Sequence, residues 1–419
     1  MDEDTLDNED TIEESDSDDE FMWFYLSFIP QILTCTRVIK NQRSPPVNRF
    51  VITQNRGYDH FLLALRQPQL FRRKYRMLPS TFQQLALKLE PYYQPAGITR
   101  LPLQYALGIF LAWAAQHSTY RDMCYEFQVA TSVIFTVVEQ FINICIYALW
   151  RDEISQPQVS FIMAREQKLR RQFSHMRRLY EVFDGAVALL DGTAVRCNAV
   201  AEVLRNPNKG TCVNILVLTD LMGRFRAMAP GFGSENDASV FRQRLCGVRL
   251  PPDTYIIADS GFGLAKRVLT PTNGTRYRTY LFANDDSRPR TPEELFNRVH
   301  ASIRNTIERS FGQLKGTFPV CGQTTMEPMK IFPTFYALAG VHNFIRETEG
   351  ELKYDLEINE DMRDTEECFN ITEATFVVNP ELLCDSKPLT AEMKQYRARV
   401  QARLWVVYNA VMEEMYGNR

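Results

Sequence analysis

An α/β domain preceded by an all-helical domain is the fold class the sequence predicts, and three observations carry it. From about Tyr58 to Trp150, apolar residues recur at every third or fourth position and glycine is sparse, as on packed helices. From residue 185 the period changes. "AVALLDG", "CVNILVLTD", "RFRAMAPG" and "TYIIAD" are short runs rich in Val, Ile and Leu, bounded by Gly, Asp and Pro, as strands are. A long helical pattern then sets Phe296, Val299, Ile303, Ile307, Phe311, Leu314 and Phe318 on one face. Elements mixed in this way build a mixed sheet flanked by helices.

Taken in order, residues 1–20 form a tail with 12 acids and no base, too charged and too poor in apolar residues to build a core. Residues 21–152 read as the helical domain. Its first part, "FMWFYLSFIPQILTCT", follows acids rather than bases and contains Pro30 and Gln31, so packing rather than export is expected there, with membrane insertion the lesser alternative. Over about 100–150 the pattern gives a helix from Leu103 to Ala115 and a short helix capped by Thr119, with Asp122 in its first turn. A turn at "QVAT" and a helix from Ser132 follow. This is the shape of a helix-turn-helix-like unit, and equally of an ordinary helical bundle. No Lys or Arg occurs from Thr131 to Trp150, which suits packing better than reading a DNA groove.

Residues 153–182 read as a short linker and a basic helix carrying Arg165, Lys168, Arg170, Arg171, Arg177 and Arg178. Such a run is either a solvated face or a set of phosphate contacts. Residues 183–346 hold the α/β domain. Three of its strands lie close together, as in a meander, and the helical stretch "DASVFRQRL" separates the third from the fourth. "YALAGVHNFIRE" reads as a further helix, residues 347–390 as an acidic irregular segment, and 391–419 as a region with an amphipathic terminal helix.

Charge and cysteine usage narrow the class. The chain has 48 Lys and Arg against 51 Asp and Glu, yet 12 of those acids lie in the first 20 residues, so the rest carries an excess of base. That excess suits a polyanion partner. The nine cysteines are scattered with no CxxC pair, which argues against a zinc knuckle and a disulfide framework and for a reducing compartment.

The chemistry-bearing residues are carboxylates. Asp191 is expected to end the first strand and Asp259 the fourth, and strand ends of an open sheet share one crevice. Glu308 is the only acid between Glu294 and Glu327, at the edge of the apolar stripe of the long helix, among Arg298, Arg304, Arg309 and Lys315. Asp191, Asp259 and Glu308 together would be an all-oxygen site suited to Mg²⁺ or Mn²⁺, and two such ions about 4 Å apart serve phosphodiester cleavage. Each acid has a plainer reading: Asp191–Gly192 as a hairpin turn, Asp259 as a turn opener, Asp237 as a helix N-cap, Glu308 as the partner of Arg304 one turn away.

Several stretches, taken as a set, resemble the DDE-superfamily nuclease domain of PIF/Harbinger-type transposases and of nucleases derived from them. They are "LLDGT", "NKGTCVNILVLTDLMGRF", "PGFGSENDASVF", "IIADSGFGL", "FNRVHASIRNTIERSFGQLKGTF" and "LAGVHNFIRE", in that order over roughly 183–346. The helical region at 100–150 is similar to the helix-turn-helix that precedes the nuclease in that family. The resemblance implies an RNase H-like nuclease domain with an N-terminal all-α helix-turn-helix-like domain. It implies catalytic Asp191, Asp259 and Glu308, Asp237 as an additional metal carboxylate, a Mg²⁺ or Mn²⁺ cofactor, and two-metal cleavage of DNA. Arg298, Arg304, Arg309, Lys315, Arg170 and Arg171 are then the expected phosphate contacts. It also implies a separate Myb-like DNA-binding partner and a nuclear location, with the cytoplasm and a homo-oligomer left open. The chain departs from the family pattern at Asn236 and Ala238, where His and Ser are usual, at Phe262, where Tyr is usual, and at Pro271–Thr272. A domesticated, non-catalytic nuclear scaffold is the competing expectation, and a helix-turn-helix regulator whose α/β domain only dimerises is a third.

Overall fold

Capping and proline chemistry set the helix boundaries in the computed structural model, which describes residues 56–350 and 387–416 apart from 94–100, 117, 156, 172–173, 199–203, 207–209, 232–234, 246–247, 249, 266 and 276–287. The acidic tail, the apolar run at 21–36 and most of the acidic segment at 347–390 lie outside the described residues. Among the described residues, eight α-helices precede the sheet: α1 (Arg56–Leu65), α2 (Pro68–Tyr75), α3 (Pro79–Leu89), α4 (Leu103–Gln116), α5 (Tyr120–Phe127), α6 (Thr131–Ser155), α7 (Pro157–Arg170) and α8 (Ser174–Glu181). Proline opens α2, α3 and α7, where its missing N–H costs nothing. Thr119 caps α5 by accepting from Asp122 N at 3.2 Å, as expected. The expected linker shrinks: α6 runs to Ser155 and α7 starts at Pro157.

The helix-turn-helix-like reading of this region is not supported. The short helix, a left-handed turn residue at Gln128 and the long helix α6 are present, but α6 is a packing helix. Its Ile134, Val138, Phe141, Cys145 and Trp150 are buried. Trp150 donates to Tyr336 O at 3.0 Å and stacks on the Tyr336 ring at 4.4 Å. Truncating such a side chain costs about 3–5 kcal/mol. The stretch Thr131–Trp150 is apolar enough to cross a bilayer, but half of it is buried within the protein.

The sheet follows as β1 (Ala186–Cys197), β2 (Arg205–Asn206), β3 (Gly210–Asp220), β4 (Phe225–Gly231), the short helix α9 (Asp237–Val240), β5 (Tyr255–Ala258) and β6 (Val268–Leu269). Then come α10 (Pro292–Thr317), β7 (Gln323–Thr324), α11 (Pro328–Glu349) and α12 (Lys387–Tyr416). The path is β2-β3-β1-β5-β6, with β4 also on β3 and β7 also on β1. β1 pairs antiparallel with β3 and parallel with β5, so this is the expected mixed sheet flanked by helices, with β1, β3 and β4 as the meander.

Two details of β1 position the site. First, Asp191 does not end the strand, and Asp191–Gly192 is not a turn: β1 runs unbroken to Cys197 and pairs with β3 through Arg196. Second, the β5 side of β1 is discontinuous. β5 pairs with Ala186–Leu190 and β7 with Arg196–Cys197, and among the described residues no strand pairs with 191–195 on that side. Side chains alternate across a strand, so Ala188, Leu190 and Gly192 face one layer and Leu189, Asp191 and Thr193 the other. The first face builds a core with Phe161, Leu216, Ala229, Ala238, Val240, Leu245, Ile256 and Ala258. The second meets α10.

Candidate active site

Asp191 and Asp259 come together because their strands run parallel. Leu190 pairs with Ala258, so each aspartate is the next residue along its own chain. Asp259 caps the turn Ser260–Phe262, its Oδ1 accepting from Ser260 N at 2.7 Å, so its plainer reading is also realised. Glu308 arrives from α10, whose buried stripe (Val299, Ile303, Ile307, Leu314) fixes the helix on the sheet. The helix is pinned on both sides of Glu308. Asn297 exchanges hydrogen bonds with Thr272 (2.8 and 3.0 Å), Ser310 donates to Gly223 O at 2.9 Å, and Lys315 donates to Ala194 O at 2.9 Å.

Arg304 joins the acids. Its Nη1 lies 3.0 Å from Asp191 Oδ2 and its Nη2 lies 2.5 Å from Glu308 Oε1. The plain one-turn pair expected for Glu308 is therefore present, with Asp191 on the other end of the same guanidinium. Burial pushes the Asp191 carboxyl up to about 7, and its side chain is only 19% exposed. Arg304 and the Gly192 N–H pull it down, while the Glu308 and Asp259 carboxylates push it further up. Mutual repulsion of this kind places three acids within one electrostatic neighbourhood.

Asp237 sits elsewhere. Asn236, not Asp237, is the N-cap of α9, accepting from Ala238 N at 2.8 Å. Asp237 receives Asn214 Nδ2 at 2.5 Å and lies against Gly192, where a Cβ would be 2.3 Å from its Oδ2. Gly192 and Asn214 belong to the face of the sheet opposite Asp191, so Asp237 approaches from the other side of β1.

The bases divide. Arg309 is exposed, and with Ser302, Asn305 and Glu308 it lines an open cleft of about 480 Å³ beside the acids. Lys168 of α7 reaches α10 at Thr306 Oγ1 (3.3 Å), which ties the basic helix to the helix that carries Glu308. Arg170 and Arg171 are exposed, and Arg170 pairs with Glu166 at 3.5 Å as a solvated face would. Arg298 is half-buried on α10. Lys315 is spent on the carbonyl of Ala194, so it ties α10 to β1 rather than presenting its charge alone. His300, one turn before Arg304, was not foreseen. It is buried against Leu269 O (3.2 Å), and burial lowers it to about 4, so it stays neutral near pH 7 and is not a proton carrier there.

Hard oxygen donors suit Mg²⁺ or Mn²⁺, and the buried Asp191 carboxylate beside two further acids calls for added positive charge. Among the described residues no group of three His, Cys, Asp or Glu side chains is close enough to hold one ion as the side chains stand. The donor set fits, and Arg304 stands between two of its members.

A family model described as the DDE superfamily endonuclease matches residues 190–343. The match takes in β1 from Leu190, all four acids, α10 and most of α11. That stretch is similar to a class of transposase-type nucleases that act on DNA and generally use divalent metals. No curated protein and no solved structure matches the chain.

Proposed function

We propose that the α/β domain is a metal-dependent DNA endonuclease of the DDE transposase type, of the Harbinger kind, with Asp191, Asp259 and Glu308 as its catalytic acids. The observation that carries this is the meeting of Asp191 and Asp259 at neighbouring parallel strands, opposite Glu308 on a pinned helix, inside the segment similar to the family. Divalent cations, when bound, supply charge stabilisation at the attacking and leaving oxygens of a phosphodiester. Asp191 is held by β1 and the Gly192 N–H and sets the fixed wall of the site. Asp259 is oriented by its cap on Ser260. Glu308 is 47% exposed and is the acid free to adjust its rotamer. Arg309 beside the cleft, with Arg298, Arg170 and Arg171, supplies phosphate contacts. Asp237 lies against Gly192 from the opposite face of β1, apart from the other three acids. Targeting falls to a separate Myb-like protein in the nucleus, since the long apolar helix α6 packs inside the protein and offers few base-reading groups.

The test is cleavage of supercoiled plasmid with Mn²⁺ or Mg²⁺. Asp191→Asn and Glu308→Gln should each abolish nicking while leaving the metal-free melting temperature near wild type. Nicking retained by the double variant Asp191→Asn/Glu308→Gln would refute the assignment. A second reading, a non-catalytic DNA-binding scaffold, is favoured by the ion pairs that Arg304 makes with both acids. Salt-sensitive DNA binding by wild type without nicking under any metal would select it.

A further inference from the structure

We propose that Arg304 is an internal counter-ion that holds the acid site shut in the metal-free protein and must leave its carboxylates for a divalent cation to enter. This rests on the reading that Asp191, Asp259 and Glu308 hold metal. The inference is drawn from geometry. One guanidinium, itself only 15% exposed, is shared between carboxylates on two different elements, at 3.0 Å from Asp191 and 2.5 Å from Glu308. Two parallel ion pairs from one planar fork are a fixed arrangement, not a drifting surface contact. Yet they are too few for the charge present, since Asp259 adds a third carboxylate to the same neighbourhood. Lys315, further along α10, is engaged with Ala194 O.

What moves is also constrained. α10 is pinned by Asn297, Ser310 and Lys315, so the helix itself does not have to shift. Asp191 is fixed in β1. The change falls on two side chains, Arg304 and the half-exposed Glu308, which share one helix face and can turn by rotamer changes alone. A cation that takes up Asp191 and Glu308 releases the guanidinium, and the site gains one unattached positive group beside the cleft at the moment metal loads. Arg304 is thus a positioning residue whose removal should ease metal entry.

Calorimetric Mn²⁺ titration at pH 8, with the full chain, reads this directly. Arg304→Gln should bind Mn²⁺ about tenfold more tightly than wild type, the scale of losing one partly buried competing ion pair. Arg304→Lys keeps the charge on a stem that cannot bridge both acids, and should lie between wild type and Arg304→Gln. Without metal, Arg304→Gln should melt below wild type, and saturating Mn²⁺ should raise its melting temperature by more than it raises that of wild type. A purely structural Arg304 would give the lower melting temperature without the tighter binding. Arg304→Gln binding Mn²⁺ no more tightly than wild type, while Asp191→Asn/Glu308→Gln has lost binding, overturns the exchange and leaves the metal site standing. Should that double variant bind Mn²⁺ as wild type does, the metal-site reading falls and this inference with it.

Discussion

Two aspartates on paired strands, Asp191 of β1 and Asp220 of β3, are both withdrawn from water and both meet an arginine, yet they live in opposite electrostatic worlds. Asp220 is wholly buried and fully answered. Its Oδ1 accepts from Met222 N (2.8 Å) and Arg224 N (3.1 Å), and its Oδ2 takes a fork from Arg226 Nε (3.0 Å) and Nη2 (2.7 Å). Four donors converge on one carboxylate, and they close the β3–β4 hairpin. Asp191 receives the Gly192 N–H and one arm of Arg304, and then faces two further acids. The first arrangement stabilises a fold. The second stores unfavourable charge that a cation would relieve, which is the character expected of a functional site.

The largest expected effect breaks the first member of the pair. Asp220→Asn takes from Arg226, whose side chain is 4% exposed, the carboxylate it forks onto, and should cost about 3–5 kcal/mol in urea unfolding. Asp191→Asn should cost far less at pH 7. Equal losses at the two positions would erase the distinction drawn between them. Next in size is Gly192→Ala. Its new Cβ would sit 2.3 Å from Asp237 Oδ2 and 2.7 Å from its Cγ, so either β1 or Asp237 must move, for about 1–3 kcal/mol. Adding Asp237→Ala should recover most of that loss in a double-mutant cycle, and full additivity would show that the two residues do not press on each other.

Much of this was legible in the sequence, and the residues that were not share a cause. Periodicity located the meander, the long helix and the buried face of α10, because a 2.0 or 3.6 repeat is local information. The pairing of Asp191 with Asp259 followed from strand-end placement, even though β1 extends past Asp191 to Cys197. The turn reading of Asp191–Gly192 failed because the glycine is there to let Asp237 approach, a contact 45 positions away along the chain that no local rule announces. The cap went to Asn236 instead of Asp237, a one-residue shift that propensity cannot resolve, since both side chains cap well. Asp220 and Arg226 sat in view as a charge pair flanking the turn "LMGR", but only burial distinguishes them from a solvated pair. Lys315 looked like a phosphate contact, and only tertiary structure shows the carbonyl of Ala194 at its ammonium.

A smaller effect sharpens the comparison through pH. The Asp191 carboxyl is raised from 3.8 to about 7, so the folded protein favours its protonated form. That contribution to stability is fully present below about pH 4 and is lost as pH rises through 7. Asn at 191 carries no such charge. Metal-free Asp191→Asn should therefore gain about 1–2 kcal/mol on wild type between pH 5 and pH 8, read by urea unfolding. His300 and His342, both lowered by burial, lose stability in the opposite direction as pH falls, and they cancel in the difference between variant and wild type. A pH-independent difference would show that Asp191 is ionised as readily in the fold as outside it.

The smallest effect on stability, and the most selective, concerns the cations. Arg226 is buried and committed to Asp220, whereas Arg309 is exposed on α10 beside Glu308 and the cleft. If that cleft receives a phosphodiester backbone, Arg309 contributes to DNA binding by releasing condensed counter-ions and contributes little to folding. Arg309→Gln should lower the salt slope of log K on duplex DNA by about 0.9. Its stability should stay within about 0.5 kcal/mol of wild type, because an exposed helical position loses no buried partner. Arg170→Gln and Arg171→Gln, at the end of the basic helix that reaches α10 through Lys168, should behave alike and add to it, as separate phosphate contacts do. The effect should be uniform across DNA sequences, because these residues contact backbone rather than base edges. Fluorescence anisotropy with one duplex at several salt concentrations, repeated on an unrelated duplex, measures both the slope and its sequence independence. An unchanged slope for the triple variant would move the DNA path away from the cleft and leave these arginines as a solvated helix face.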